Sequence, residues 1–219
     1  RCIILIDSCH HELEACRIFR HGGPRRRGDE CSDSLSVHQC RLVLGAASRA
    51  RELGKPFNRF ITILWERGGL SPQSATAATG RFIKLASDWL RLRGHPLCWT
   101  YVHEGGGKNG IHVHILLHVP PNLDSEFRPM PRQWVKRLLS GHYVRKSVLS
   151  KKIVGANTPD GALDELYRAL LRVRLHYMLK AADPALLDLL DMQGWGRVQW
   201  GRQGRVFGKR AGRWQERRV

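Results

Sequence analysis

The sequence lacks several features that would place it quickly, and each absence excludes a class. It has no run of 18 apolar residues, so no membrane-spanning helix is expected. The opening Arg1-Cys2-Ile3-Ile4-Leu5-Ile6 meets Asp7 too soon to form the apolar region of an export signal. With no sign of export, the expected location is the cytoplasm, with reduced thiols. Five of the six cysteines (Cys2, Cys9, Cys16, Cys31 and Cys40) fall in the first forty residues, but no Cys-x-x-Cys pair is among them. Cys9-His10-His11 with Cys16 therefore fits no standard zinc-finger spacing. A helical His-Glu-x-x-His motif is absent, which argues against a zinc hydrolase. Gly105-Gly106-Gly107-Lys108 is followed by Asn109 rather than Ser or Thr, so there is no phosphate-binding loop of a helicase motor.

Acidic residues are also scarce. Nineteen Asp and Glu stand against thirty-seven Lys and Arg, for a net charge of +18. Such an excess favours a polyanionic partner, because neutralising phosphates releases their condensed counterions. Nucleic acid is the leading candidate.

The chain divides by composition into three stretches. Residues 1–55 form an appendage of uncertain order around the turn-rich basic run 22–29, with a helix expected over 41–53. Residues 56–193 carry the clearest structural pattern. Residues 194–219 are a basic tail rich in Gly, Arg and Trp. Within the middle stretch, residues 57–64 read as a buried strand, being rich in β-branched and aromatic side chains. Phe82, Leu85, Trp89 and Leu92 recur at helical spacing and predict an amphipathic helix over 74–93. Strands follow at 97–104 and 111–119, joined by the glycine turn. A short basic helix is expected at 134–140. Thr158-Pro159 opens a last helix, with Leu163, Leu166, Leu170, Val173 and Tyr177 spaced as one stripe. This order predicts an α+β domain, an antiparallel sheet with helices packed on it.

Two short constellations carry chemistry. Alternate residues of a strand share a face, so His112 and His114 project together while Val113, Ile115 and Leu117 project oppositely. Two such imidazoles can converge on one cation if a neighbouring strand supplies a third ligand. His118 shares their face but lies too far along the strand. The third ligand is either Glu104 or His103: an odd number of loop residues puts Glu104 on the histidine face, an even number His103. A carboxylate suits Mg²⁺ or Mn²⁺ and favours Glu104. The second constellation is Tyr177-Met178-Leu179-Lys180, where phenol and ammonium lie three residues apart on one helix face. A phenolate is a competent nucleophile toward phosphorus, and a nearby ammonium can assist it. Taken alone, Tyr177 reads more readily as a core tyrosine that continues the leucine stripe.

A hydrophobic strand (57–64), His112-Val113-His114 and Tyr177-x-x-Lys180, in that order, resemble the three motifs of the HUH endonuclease superfamily, specifically its single-tyrosine rolling-circle replication initiators. The resemblance covers about residues 56–185, and extends to 212 if Gly208-Lys209-Arg210 belongs to the domain. It implies a central five-stranded antiparallel sheet of the ferredoxin-like, RNA-recognition-like type, with the histidine strand at its centre. It also implies Mg²⁺ or Mn²⁺ on His112, His114 and Glu104, and sequence-specific nicking of single-stranded DNA at a replication origin. Tyr177 would attack in line, leaving a 5′-phosphotyrosine and a free 3′ hydroxyl, with Lys180 as electrostatic helper. Position 173 is Val, so one tyrosine acts, and a separate helicase would unwind the origin. Arg197, Arg202, Arg205, Lys209 and Arg210 of the tail are the candidate phosphate grip. A relaxase or single-strand transposase would share this chemistry. A non-catalytic single-strand-binding module would instead stack bases on Trp65, Trp99, Trp134, Trp195, Trp200 and Trp214.

Overall fold

The computed structural model of the chain describes residues 30–156, 161–182, 186 and 203–215. The cysteine–histidine cluster at 9–16 and the tail residues Trp195, Arg197, Trp200 and Arg202 lie outside the described residues.

The fold is α+β. Five strands, β2 (Arg59–Leu64), β3 (Trp99–Gly105), β4 (Ile111–Leu117), β5 (Val148–Lys152) and β7 (Ala211–Arg213), form one antiparallel sheet in the order β5-β2-β4-β3-β7. The histidine strand β4 is central, as expected. A separate two-stranded ribbon pairs β1 (Cys31–Ser32) with β6 (Val206–Phe207). Among the described residues no helix is long and apolar enough to cross a membrane.

Strand alternation sorts the sheet into two apolar faces. Ile61, Ile63, Val113, Ile115 and Leu117 pack on one side beneath α2 (Pro72–Arg91) and α4 (Met130–Leu138), while the four-residue α3 (Asp124–Phe127) adds Phe127. Phe60, Val102 and Leu116 pack on the other beneath α1 (Val37–Glu52) and α5 (Gly161–Leu179). The sheet is therefore covered on both faces.

The expected boundaries shift. The helix expected at 41–53 starts earlier, at Val37, because Ser36 and Gln39 form a reciprocal capping box. It buries Cys40, Val43, Ala46, Ala47 and Ala50 against the sheet, so residues 35–52 belong to the domain rather than to an appendage. The stretch called a basic tail likewise supplies strand β7, paired to β3 through Val102↔Ala211 and Thr100↔Arg213. In α2 the buried side chains are Ala75, Ala78, Thr79, Phe82, Ile83, Ala86 and Leu90. Leu92 of the expected stripe is exposed, and Leu85 and Trp89 are half-buried.

The last helix departs most from expectation. Its core side is Tyr167, Leu175, Met178 and Leu179, whereas Leu163, Leu166, Val173 and Tyr177 are exposed. The helix has apolar residues on two faces, and the one carrying the Tyr167 hydroxyl turns inward to donate to the Phe57 carbonyl (3.1 Å). Beyond its end, Leu35 N–H donates to the Ala181 carbonyl (2.7 Å), tying the helix exit to the segment before α1.

Arg210, expected to grip phosphate, is fully buried. Its guanidinium donates to the Ser32 hydroxyl and carbonyl, the Gly204 carbonyl and the His103 carbonyl, stitching β1, the 203–205 segment and β3 together. Arg210→Ala is therefore expected to act on stability. Several buried acceptors would lose their donor, at a cost of about 2–4 kcal/mol, measurable by urea denaturation. An unchanged denaturation midpoint would return Arg210 to the list of surface contacts.

Candidate metal centre and nucleophile

The register of the β3–β4 hairpin decides which side chain joins the histidines. Gly105 pairs with Ile111, leaving five residues in the turn, and Glu104 pairs directly with His112. That odd count puts Glu104 on the histidine face and sends His103 to the opposite one. There His103 Nδ1 meets the Lys209 carbonyl (3.2 Å) and Nε2 meets Thr79 Oγ1 (2.8 Å), which in turn accepts from Trp65 Nε1 (2.8 Å). Burial lowers the His103 pKa to about 3, so it stays neutral and structural.

Two glycines let the chain close around the end of β3. A Cβ on Gly105 would meet the Arg205 carbonyl oxygen at 1.9 Å, and one on Gly204 would meet the Gly105 oxygen at 1.0 Å. Only glycines allow these backbones to approach so closely, with Gly105 N–H donating to the Gln203 carbonyl (2.8 Å). At the other end of the turn, the Glu66 carboxylate accepts the Ile111 N–H (2.7 Å).

Glu104, His112 and His114 are each buried, and their ligand atoms all lie within 4.8 Å of one another. His112 Nε2 is 3.1 Å from Glu104 Oε2, and His114 Nε2 is 3.6 Å from Glu104 Oε1. Each imidazole is oriented from behind: His112 Nδ1 meets the Gly110 carbonyl (2.8 Å) and His114 Nδ1 meets Thr62 Oγ1 (2.9 Å). With Nδ1 as the N–H, both Nε2 atoms present lone pairs to the carboxylate, and only a proton or a cation satisfies such facing acceptors. His114 Nε2 and Glu104 Oε1 are buried without a hydrogen-bond partner. Ligands of one cation with ~2.1 Å bonds stand roughly 3 Å apart, close to the spacing seen here. The cluster therefore fits a metal ion.

Electrostatics favour the ligand forms. Burial alone would raise the Glu104 pKa, but the close approach of His112 and His114 and the Lys180 charge outweigh it and hold the carboxyl ionised. Burial lowers the His114 pKa and keeps that ring neutral.

The C-terminal end of α5 brings the second constellation onto the first. The Tyr177 ring lies 4.9 Å from the His114 ring. Lys180 Nζ is 2.8 Å from Glu104 Oε2 and 3.7 Å from the centre of the Tyr177 ring. Tyr177 keeps 36% of its surface exposed, so it is not the core tyrosine its stripe allowed. The five residues expected at the reactive centre thus converge.

Other candidates do not join it. Tyr167 is spent on Phe57, and His118 Nδ1 on the Pro56 carbonyl (2.8 Å). Arg205 and Lys209 are exposed, on the segment crossing beside β3. Of the tryptophans considered for stacking, Trp65, Trp134 and Trp214 are buried and Trp99 is half-buried. Thr62 was missed by sequence reasoning. Its signal was its place in the first strand, where period-2 alternation groups it with Phe60 and Leu64, but only the β2–β4 pairing Thr62↔His114 shows what it orients.

No protein-family model, curated protein or solved structure matches the chain.

Two outcomes are expected. Glu104→Gln and His114→Ala each lower Mn²⁺ affinity at least tenfold by calorimetry, since each removes a ligand, while His103→Gln leaves it unchanged. Equal affinity in all three variants would dissociate the cluster from metal binding. Folding should also depend on pH through His103. Its folded pKa lies below the unfolded value of about 6.5, so its contribution is present above that pH and is lost as pH falls toward 3, at up to about 1.4 kcal/mol per pH unit. Urea midpoints measured from pH 7 down to 4 should fall less steeply in His103→Gln than in wild type.

Proposed function

We propose that the chain nicks and rejoins single-stranded DNA in a metal-dependent, sequence-specific reaction that passes through a 5′-phosphotyrosine link and initiates rolling-circle replication of a plasmid or phage. The observation carrying this reading is the meeting of Tyr177 and Lys180 with the Glu104–His112–His114 cluster, from motifs more than sixty residues apart in sequence.

Glu104, His112 and His114 would hold Mg²⁺ or Mn²⁺, which when bound supplies positive charge to neutralise and orient the scissile phosphate. Tyr177 attacks phosphorus through its phenol oxygen. The new bond is Tyr Oη–P, the broken one is P–O3′, and the departing 3′ oxygen takes up a proton as the phenol loses one. Lys180 stands within reach of both the carboxylate and the phenol ring, where its ammonium stabilises developing negative charge. The free 3′ hydroxyl primes synthesis by a separate polymerase and helicase machinery, and the reverse attack rejoins the strand. Among the described residues, Arg205 and Lys209 are the accessible members of the expected phosphate grip.

The test is a denaturing gel with Mn²⁺ and labelled single-stranded DNA spanning origin sequences of small replicons. Wild type should form a covalent adduct, and Tyr177→Phe none. Lys180→Ala should form the same adduct roughly a hundredfold more slowly. An adduct that survives Tyr177→Phe would move the nucleophile elsewhere. Salt-sensitive binding with no adduct across many origins would favour a non-catalytic binding module.

A further inference from the structure

Beside the cluster, a cleft of about 240 Å³ opens between β5 and α5. His114 and Tyr177 form the wall it shares with the site described above. Leu149 and Lys151 of β5 face it from the sheet edge, Arg174 of α5 from above, and Asn109 from the hairpin turn. The register explains this gathering: Thr62 pairs with both His114 and Leu149, and Phe60 pairs with Lys151, so all project from the face that carries the histidines.

The lining is unlike a core and unlike a plain charged surface. Leu149 is 47% exposed, and Tyr177 offers an accessible ring. The Arg174 guanidinium lies 5.3 Å from the centre of the Phe60 ring, which gives this planar cation an aromatic support. Two cations line the cleft and no carboxylate does. Flat apolar and guanidinium surfaces beside an ammonium are what a nucleobase with its phosphate needs. The Asn109 side-chain amide offers both a donor and an acceptor toward a base edge.

We propose that this cleft seats one nucleotide of a single strand, its base stacked against Arg174 and Tyr177 and its phosphate held by Lys151. That the seated nucleotide adjoins the scissile phosphate rests on the nicking reading; base stacking itself does not. A cleft smaller than a drug-sized pocket takes one base rather than a folded duplex end. Arg174 and Asn109 are then the residues that choose the base nearest the reaction.

The experiment uses the full chain with Mn²⁺ and two labelled probes. One is a mixed-sequence single strand of about 12 nucleotides, within the span such surfaces cover. The other is an abasic strand of equal length, with the same phosphates and no bases. Arg174→Ala should weaken binding of the first by about fivefold or more, the loss of one stacked base, and of the second by less than about twofold. Arg174→Lys keeps the charge but loses the plane, and should match Arg174→Ala on the first probe and wild type on the second. Lys151→Ala should weaken both probes alike. Arg81→Ala, which removes a positive charge from the exposed side of α2, controls for net charge and should change neither. Equal losses on both probes for Arg174→Ala, or full rescue by Arg174→Lys on the base-bearing strand, would reduce Arg174 to a phosphate contact and overturn the proposal. Failure of the nicking reading looks different: wild type would form no adduct, while the base-dependent effect of Arg174 would persist.

Discussion

A buried carboxylate governs this structure. Glu104 is 2% exposed, and an ionised carboxylate buried there without compensation would cost several kcal/mol. Compensation comes from separate elements: the two histidines of β4 and Lys180 beyond the end of α5. Each must hold its position to keep the charge stable. The hairpin register, the seating of α5 and the backing of each imidazole by Gly110 and Thr62 are therefore parts of one requirement. Glu104 Oε1 and His114 Nε2 nevertheless stay without a hydrogen bond, which a purely structural contact would have no reason to tolerate.

Support for that arrangement comes from both ends of the described chain. The 203–205 segment passes so close to β3 that Gly105 and Gly204 cannot carry side chains, and Arg210 fastens it to Ser32 and the His103 carbonyl. Leu35 holds the chain just past Lys180. Neighbouring residues of β3 consequently meet opposite fates. Glu104 faces the cluster as an anion, while His103 is kept neutral by burial in a chain of hydrogen bonds running from Trp65 to Lys209. The pleat of a single strand separates the face of the candidate metal cluster from the structural one.

What the sequence made legible follows from periodicity and parity. The period-2 pattern of 111–117 placed His112 and His114 on one face, and the loop parity reduced the third ligand to two choices. Only the strand ends, Gly105 and Ile111, could select between them. The last helix misled because leucines occupy two of its faces. A stripe at 3–4 spacing says that a helix is amphipathic, but when a second apolar face exists the sheet chooses, and here it chose Tyr167 and Leu175. Arg210 was illegible for a different reason. An arginine in a basic stretch reads as surface, and nothing local reveals that Ser32, nearly 180 residues earlier, supplies its acceptors. Residues 36–52 read as peripheral when the domain is taken to begin at the first strand pattern, although Ser36 and Gln39 spell a capping box.

The charge balance of the cluster narrows what it can bind. Imidazoles bind a metal in their neutral form, so with one carboxylate the ligand set would carry a single negative charge, and Lys180 beside it already offsets that charge. A divalent cation held there would keep most of its positive charge for whatever completes its coordination. Sites that bind Ca²⁺ tightly gather more carboxylates. A site left electropositive, next to Lys151 and Arg174 in a chain of net charge +18, is suited to a ligand that brings its own negative charge along a line of phosphates. Such a ligand would approach over the exposed face of Tyr177.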